Sequence, residues 1–142
     1  MGFKEFYTLS KKERRKIIKK IKRQLSQRKE IIFAFLYGSF LEDPCFRDID
    51  IGIYLDEKKI KRANFFKYQL QLASEIKIPS QYLLDIRILN EAPNSFLASV
   101  FSRGYLLFSR DDNFLTNLIE KVSAEEISSE AFLKEVFHEL VS

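Results

Sequence analysis

The chain has 142 residues, 46% hydrophobic and 31% charged, which fits one globular domain with a real core and excludes a disordered polymer. No apolar run approaches the roughly 18 residues of a membrane span, and Phe3, Phe6 and Tyr7 alternate with Lys4 and Glu5 where a signal peptide would be apolar. Cys45 is the single cysteine, so neither an intrachain disulfide nor a cysteine zinc cluster is possible, and a cytoplasmic setting is the expectation.

The net charge of +4 is unevenly spread. Residues 11 to 30 carry eleven Lys/Arg against Glu13 and Glu30, a balance of +9, whereas residues 111 to 142 carry eight Asp/Glu against Lys121 and Lys134, a balance of −6. A basic helix attracts nucleic acid, a nucleotide or an acidic partner. A solvated helix face is the blander outcome. The acidic segment has two destinations, beside that helix or against a basic partner.

Ser10 followed by Glu13 is a capping-box pattern, and helix formers run from Lys11 to about Lys29 with Ile17, Ile18, Ile21 and Leu25 as the apolar stripe. Ile31 to Tyr37 is apolar throughout, as in a strand buried on both faces. A Gly-Ser turn and an irregular link lead to a second strand over 48–55, DIDIGIYL. There Ile49, Ile51, Ile53 and Leu55 share one face, and Asp48, Asp50, Gly52 and Tyr54 the other. Residues 58–77 read as a helix with Ile60, Phe66, Leu70, Ala73 and Ile76 at helical spacing, stopped by Pro79.

Residues 82–89, YLLDIRIL, alternate again, with Leu83, Asp85, Arg87 and Leu89 opposite Tyr82, Leu84, Ile86 and Ile88. Pro93 suits the first turn of a helix ending near Arg103, with Gly104 as its stop. A short strand over 105–108 and two closing helices, 112–122 and 125–141, complete the chain. The order predicts an α/β (α+β) domain, a small mixed β-sheet flanked by helices. One domain spans 1–142, with a core over 10–122 and a C-terminal helix over 123–142. The 14 phenylalanines, among them Phe33, Phe35, Phe65, Phe66 and Phe101, read as core; Phe132 and Phe137 are candidates to face a partner.

Three features carry chemistry. Gly38 and Ser39 directly follow a buried strand, where glycine lets backbone approach a ligand and N–H groups can hold phosphate oxygens; a plain turn is the commoner meaning. No Gly-Lys-Ser/Thr follows, so this is not a P-loop. Asp48 and Asp50 stand on one strand face, roughly 6.5 Å apart, and suit a hard cation such as Mg²⁺ that takes carboxylates and substrate phosphates. Asp85 joins them if its strand is a neighbour, completing a two-metal site or accepting a proton. Its alternative is a surface ion pair with Arg87.

Gly38-Ser39, eight residues, Asp48-Ile49-Asp50, and Asp85 on a later strand together resemble the polymerase-beta-like nucleotidyltransferase superfamily. The short length and the LLDIRILNEAP segment resemble its minimal nucleotidyltransferases (MNT), over most of residues 10–122. The resemblance implies that fold, and an antitoxin that pairs with a HEPN-domain RNase toxin and silences it by moving AMP from ATP to a tyrosine hydroxyl. Gly38 and Ser39 would hold the triphosphate, and Asp48 and Asp50 would bind two Mg²⁺. Asp85 would bind one Mg²⁺ and help deprotonate the acceptor.

This chain departs from the pattern twice. Phe40-Leu41 stand where many relatives carry an arginine, and Arg47 stands where many carry a serine, so Arg47 is the candidate to replace the missing nucleotide-binding charge. Three alternatives stay open: a masking antitoxin without catalysis, a small-molecule nucleotidyltransferase, and a nucleic-acid-binding module built on the basic first helix. His138, the only histidine, has no arginine at 131–133 to make a HEPN nuclease motif.

Overall fold

The computed structural model describes residues 7–42, 45–46, 48–79 and 81–141. Its elements are β1 (Tyr7–Thr8), α1 (Lys11–Ser26), β2 (Ile31–Tyr37), α2 (Ser39–Glu42), β3 (Cys45–Phe46) and β4 (Asp48–Leu55). After them come α3 (Phe65–Glu75), β5 (Leu83–Ile88), α4 (Asn94–Arg103), β6 (Tyr105–Ser109) and α5 (Asp112–Val141). Four strands make a mixed sheet in the order β5-β4-β2-β6, with β2 antiparallel to β4 and β6, and β4 parallel to β5. β1 and β3 form a separate antiparallel pair.

Strand alternation decides which helix covers which face. Ile49, Ile51, Ile53 and Leu55 are fully buried with Ala34 and Leu36 against Ile17, Ile21 and Leu25 of α1 and Phe65, Leu72 and Ile76 around α3. Phe33, Phe35 and Leu89 point the other way, into Leu97 and Val100 of α4 and Leu115 and Val122 of α5. The result is a helix–sheet–helix stack with apolar cores on both faces.

The Ser10 cap of the expected capping box forms: Glu13 N–H donates to Ser10 Oγ at 3.2 Å, and the Ser10 hydroxyl, in place of its backbone N–H, donates to Glu13 Oε1 at 3.0 Å. The helix stops at Ser26, short of the expected Lys29. Arg110 accounts for this stop, since its Nη2 donates to the carbonyls of Ser26 and Arg28 at 2.7 and 3.1 Å and its Nε to Ile31 at 3.1 Å. One side chain thereby satisfies carbonyls that a helix end leaves without partners.

Four expectations need correction. The helix expected over 58–77 begins only at Phe65. Asp56 captures the preceding chain in a turn, accepting Lys58 N–H on Oδ1 at 3.0 Å, and a 3₁₀ turn over Arg62–Asn64 follows. Its buried face is set by Phe65 and Leu72, so Phe66 and Leu70 are 70% and 56% exposed rather than core. The two closing helices are one 30-residue helix, because no Gly or Pro interrupts residues 112–141 and Asp111 caps its start. The irregular link contains α2 and the short strand β3.

The second half of α5 carries Phe132 and Phe137 at 64% and 66% exposure. No helix among the described residues is long and apolar enough to cross a membrane.

Ile51 is the test of this core. It is fully buried at the centre of β4. Ile51→Ala should cost about 2–5 kcal/mol in urea denaturation, whereas Phe66→Ala, at an exposed site, should fall within about 0.5 kcal/mol of wild type.

Candidate active site

The parallel pairing of β4 with β5 places Asp85 directly beside Asp50, and the antiparallel pairing of β2 with β4 places Tyr37 on the other side. Tyr37, Asp50 and Asp85 therefore form one row across three strands. Asp48 lies two residues earlier on the same face of β4, opposite Leu83. The next row inward is Phe35, Gly52 and Arg87. Beyond it the face is roofed by α4 and α5. The polar row lies where that roof ends: Tyr37, Asp48 and Asp50 are half-buried, and Asp85 and Arg87 are exposed.

Side-by-side carboxyl groups repel when both are charged. Burial, then the negative charges of Asp85 and Asp48, then a hydrogen bond to Asp85 push the Asp50 carboxyl up to about 6, against the opposing pull of Arg87. Burial likewise raises the Tyr37 hydroxyl to about 12, with Arg87 opposing and the charges of Asp50 and Asp85 adding to the rise. Tyr37 is thus a neutral hydrogen-bonding group at neutral pH.

Gly38 turns the chain at the edge of this row with φ +81°, a conformation that favours glycine. A Cβ there would overlap Asp50 Oδ2 and lie 3.2 Å from Asp50 Cγ. Gly38 lets the β2–α2 turn press its backbone against the carboxylate, which is the physical content of Gly-Ser preceding Asp-x-Asp. Ser39 opens α2 and is half-buried.

Arg87 does not form the ion pair with Asp85 that was the alternative reading of that strand. Its guanidinium instead lies 4.8 Å from the ring centroid of Phe96 in α4, and Phe96 packs edge-on against Tyr37 with centroids 5.5 Å apart. Sequence reasoning missed Tyr37 and Phe96. Tyr37 had a signal, as the polar-tipped residue closing an apolar strand just before Gly38. Phe96 had none, because only the docking of α4 brings it here. Arg47 lies outside the described residues.

The oxygen donors suit a hard cation. Mg²⁺ characteristically takes one or two carboxylates and completes its shell with water and phosphate oxygens, and the abutting Asp50 and Asp85 carboxyls are a pair whose mutual repulsion a cation would relieve. No three His, Cys, Asp or Glu side chains among the described residues converge as a ready-made metal cluster, so a cation here would draw its other ligands from a substrate. A cleft of about 400 Å³ lies at the other end of the sheet, lined by Lys29, Ile32, Asp56, Lys58, Arg110 and Phe114.

Residues 19–113, which hold every described member of this site, match the family model of the polymerase beta nucleotidyltransferases. The chain belongs to that nucleotidyltransferase family.

Solved structures share the fold at low identity. A tri-AMPylated Shewanella oneidensis HEPN toxin in complex with MNT antitoxin aligns at TM-score 0.57 and 16% identity, covering 94% of this chain and 100% of that one. A toxin–antitoxin structure with AMP-PNP aligns at TM-score 0.63 and 17% identity, covering 88% and 98%. The MntA–HepT toxin–antitoxin aligns at 0.56 and 16%, covering 94% and 100%. No curated protein matches the sequence.

For this nucleotidyltransferase the raised Asp50 value has a defined consequence. The folded state holds the Asp50 proton up to about pH 6, while the unfolded state releases it near the ordinary carboxyl value of 3.8. The stability that Asp50 contributes is therefore fully present below pH 3.8 and is lost as pH rises through 6. Thermal melts of Asp50→Asn should not show that loss, so the variant gains on wild type between pH 4 and 7. Millimolar Mg²⁺ should narrow the gap at pH 7.

Proposed function

We propose that this chain is an Mg²⁺-dependent adenylyltransferase that moves AMP from ATP to a tyrosine hydroxyl of a HEPN-domain toxin, acting as its antitoxin. The observation that carries the reading is the Asp50–Asp85 pair, built across two parallel strands beside a glycine turn that fits only against Asp50. Family membership supports nucleotidyl transfer. The acceptor is argued by likeness to the MNT antitoxins bound to HEPN toxins, one of them tri-AMPylated.

Each residue then has a task. Gly38 and Ser39 lie along the triphosphate, the glycine backbone being free of a side chain that would hold phosphate away. Asp48, Asp50 and Asp85 would hold Mg²⁺ together with phosphate oxygens of the substrate, and the ion would supply positive charge against the phosphates and lower the cost of ionising the acceptor. Asp85, on the outer strand and exposed, faces the incoming hydroxyl and accepts its proton. The acceptor oxygen bonds to the α-phosphorus, the bond to the bridging oxygen breaks, and pyrophosphate leaves with the electron pair. Tyr37 supplies a neutral donor beside Asp50, and Arg87, stacked on Phe96, keeps a positive charge next to the pair. Arg47 is the residue we assign to the phosphate contact that other members make with an arginine after Gly-Ser.

The masking alternative rests on that same substitution, Phe40-Leu41. Incubation with α-phosphate-labelled ATP, Mg²⁺ and the protein encoded by the adjacent gene separates the two. Label should appear on the partner with the wild type and fall at least a hundredfold with Asp50→Asn or Asp85→Asn. An unlabelled partner held equally tightly by all three proteins would mean masking without transfer.

A further inference from the structure

The site leaves the most charged element of the chain without a task. Helix α1 bears nine Lys/Arg in 16 residues and a single acid, Glu13, which is spent in the cap with Ser10. Arg14 turns inward, its Nη1 donating to the Phe40 carbonyl and its guanidinium 5.3 and 5.2 Å from the Phe40 and Phe46 ring centroids. Just past the helix, Arg28 pairs with Glu75 at 2.8 Å. These two cations serve the fold.

Lys12, Arg15, Lys16, Lys19, Lys20 and Arg23 do not. All six are exposed. At 3.6 residues per turn they fall within about 140° of arc along about 17 Å of helix, opposite the buried stripe Ile17, Ile21 and Leu25. Among the described residues none of the six has a carboxylate within ion-pair distance. The pairs Lys12–Lys16, Arg15–Lys19, Lys16–Lys20 and Lys19–Arg23 are like charges four apart, each of which destabilises the helix. Lys11 and Lys12 also stand at the helix end where the dipole favours anions. Folding alone would be served better by glutamates interspersed on this face.

We propose that the outer face of α1 binds the phosphodiester backbone of a nucleic acid. The composition of the face selects that ligand over an acidic protein. A stable protein interface needs a desolvated core from which charged residues are depleted, and no apolar side chain interrupts these six cations. Backbone binding to a polyanion needs none, because released counterions supply the free energy and phosphate contacts carry no sequence requirement. The face lies behind the sheet, on the side opposite Tyr37, Asp50 and Asp85, so it is separate from the nucleotidyl-transfer site.

The test is fluorescence anisotropy of the full-length protein with labelled 20-nucleotide single-stranded RNA and 20-base-pair duplex DNA, between 50 and 200 mM KCl. Wild type should bind at least one of the two, with affinity falling steeply as salt rises. Lys16→Gln/Lys19→Gln/Arg23→Gln, checked as folded by circular dichroism, should bind at least tenfold more weakly at 50 mM KCl. Its log–log salt slope should be shallower by about 2 to 3, given about 0.7–0.9 per phosphate contact. Asp50→Asn should bind like wild type. No binding by wild type at 50 mM KCl, or equal binding by the triple variant, would overturn the proposal. Loss of binding in Asp50→Asn would overturn it too, by placing the nucleic acid at the other face. So would salt-sensitive self-association of wild type without oligonucleotide binding, which would give this face to the acidic segment of a second copy.

Discussion

Two carboxyl groups held side by side on neighbouring strands repel, and the fold maintains that arrangement rather than relieving it. Asp50 and Asp85 face each other because β4 and β5 run parallel in a register fixed by their buried rows, Ile49, Ile51 and Ile53 against Ile86 and its half-buried neighbours. A slip of one residue would turn Asp85 into the core and Ile86 into solvent, so the apolar pattern locks the polar one. Burial and the neighbouring charges lift Asp50 to about 6, and Gly38 closes the remaining space with bare backbone. The surrounding structure depends on this tension: α4 and α5 roof the apolar half of the face and end where the carboxyls begin.

The central strands were legible because their chemistry has period two. Ile49 to Leu55 on one face and Asp48 to Tyr54 on the other is a pattern that no helix accommodates, and the glycine turn before it marks where backbone must approach a side chain. The N-cap of α1 by Ser10, with Glu13 beside it, was equally local, hence readable. Strand order was not. Whether Asp85 lies next to Asp50 or across the sheet depends on how β5 returns, and no residue in 82–89 encodes its neighbour.

Helix limits failed where a distant side chain or a competing turn decided them. Arg110 ends α1 from 84 residues away, and Asp56 diverts the chain into a turn before α3. Both are tertiary or capping effects that override a run of helix formers. Phe66 shows the same lesson: helical spacing permits two registers of the apolar face, and the sheet chose the one through Phe65 and Leu72. Phe96 was invisible for a related reason, since its contact with Tyr37 and Arg87 is made by the docking of α4.

The central claim is that the Asp50–Asp85 pair is a cation-dependent nucleotide site. Isothermal titration calorimetry with a non-hydrolysable ATP analogue, in Mg²⁺ and in EDTA, on wild type and Asp85→Asn tests it most directly. The account predicts binding to wild type that needs Mg²⁺ and weakens at least tenfold in Asp85→Asn. Equal affinity in Mg²⁺ and EDTA for both proteins, or no binding to wild type in Mg²⁺, would contradict it.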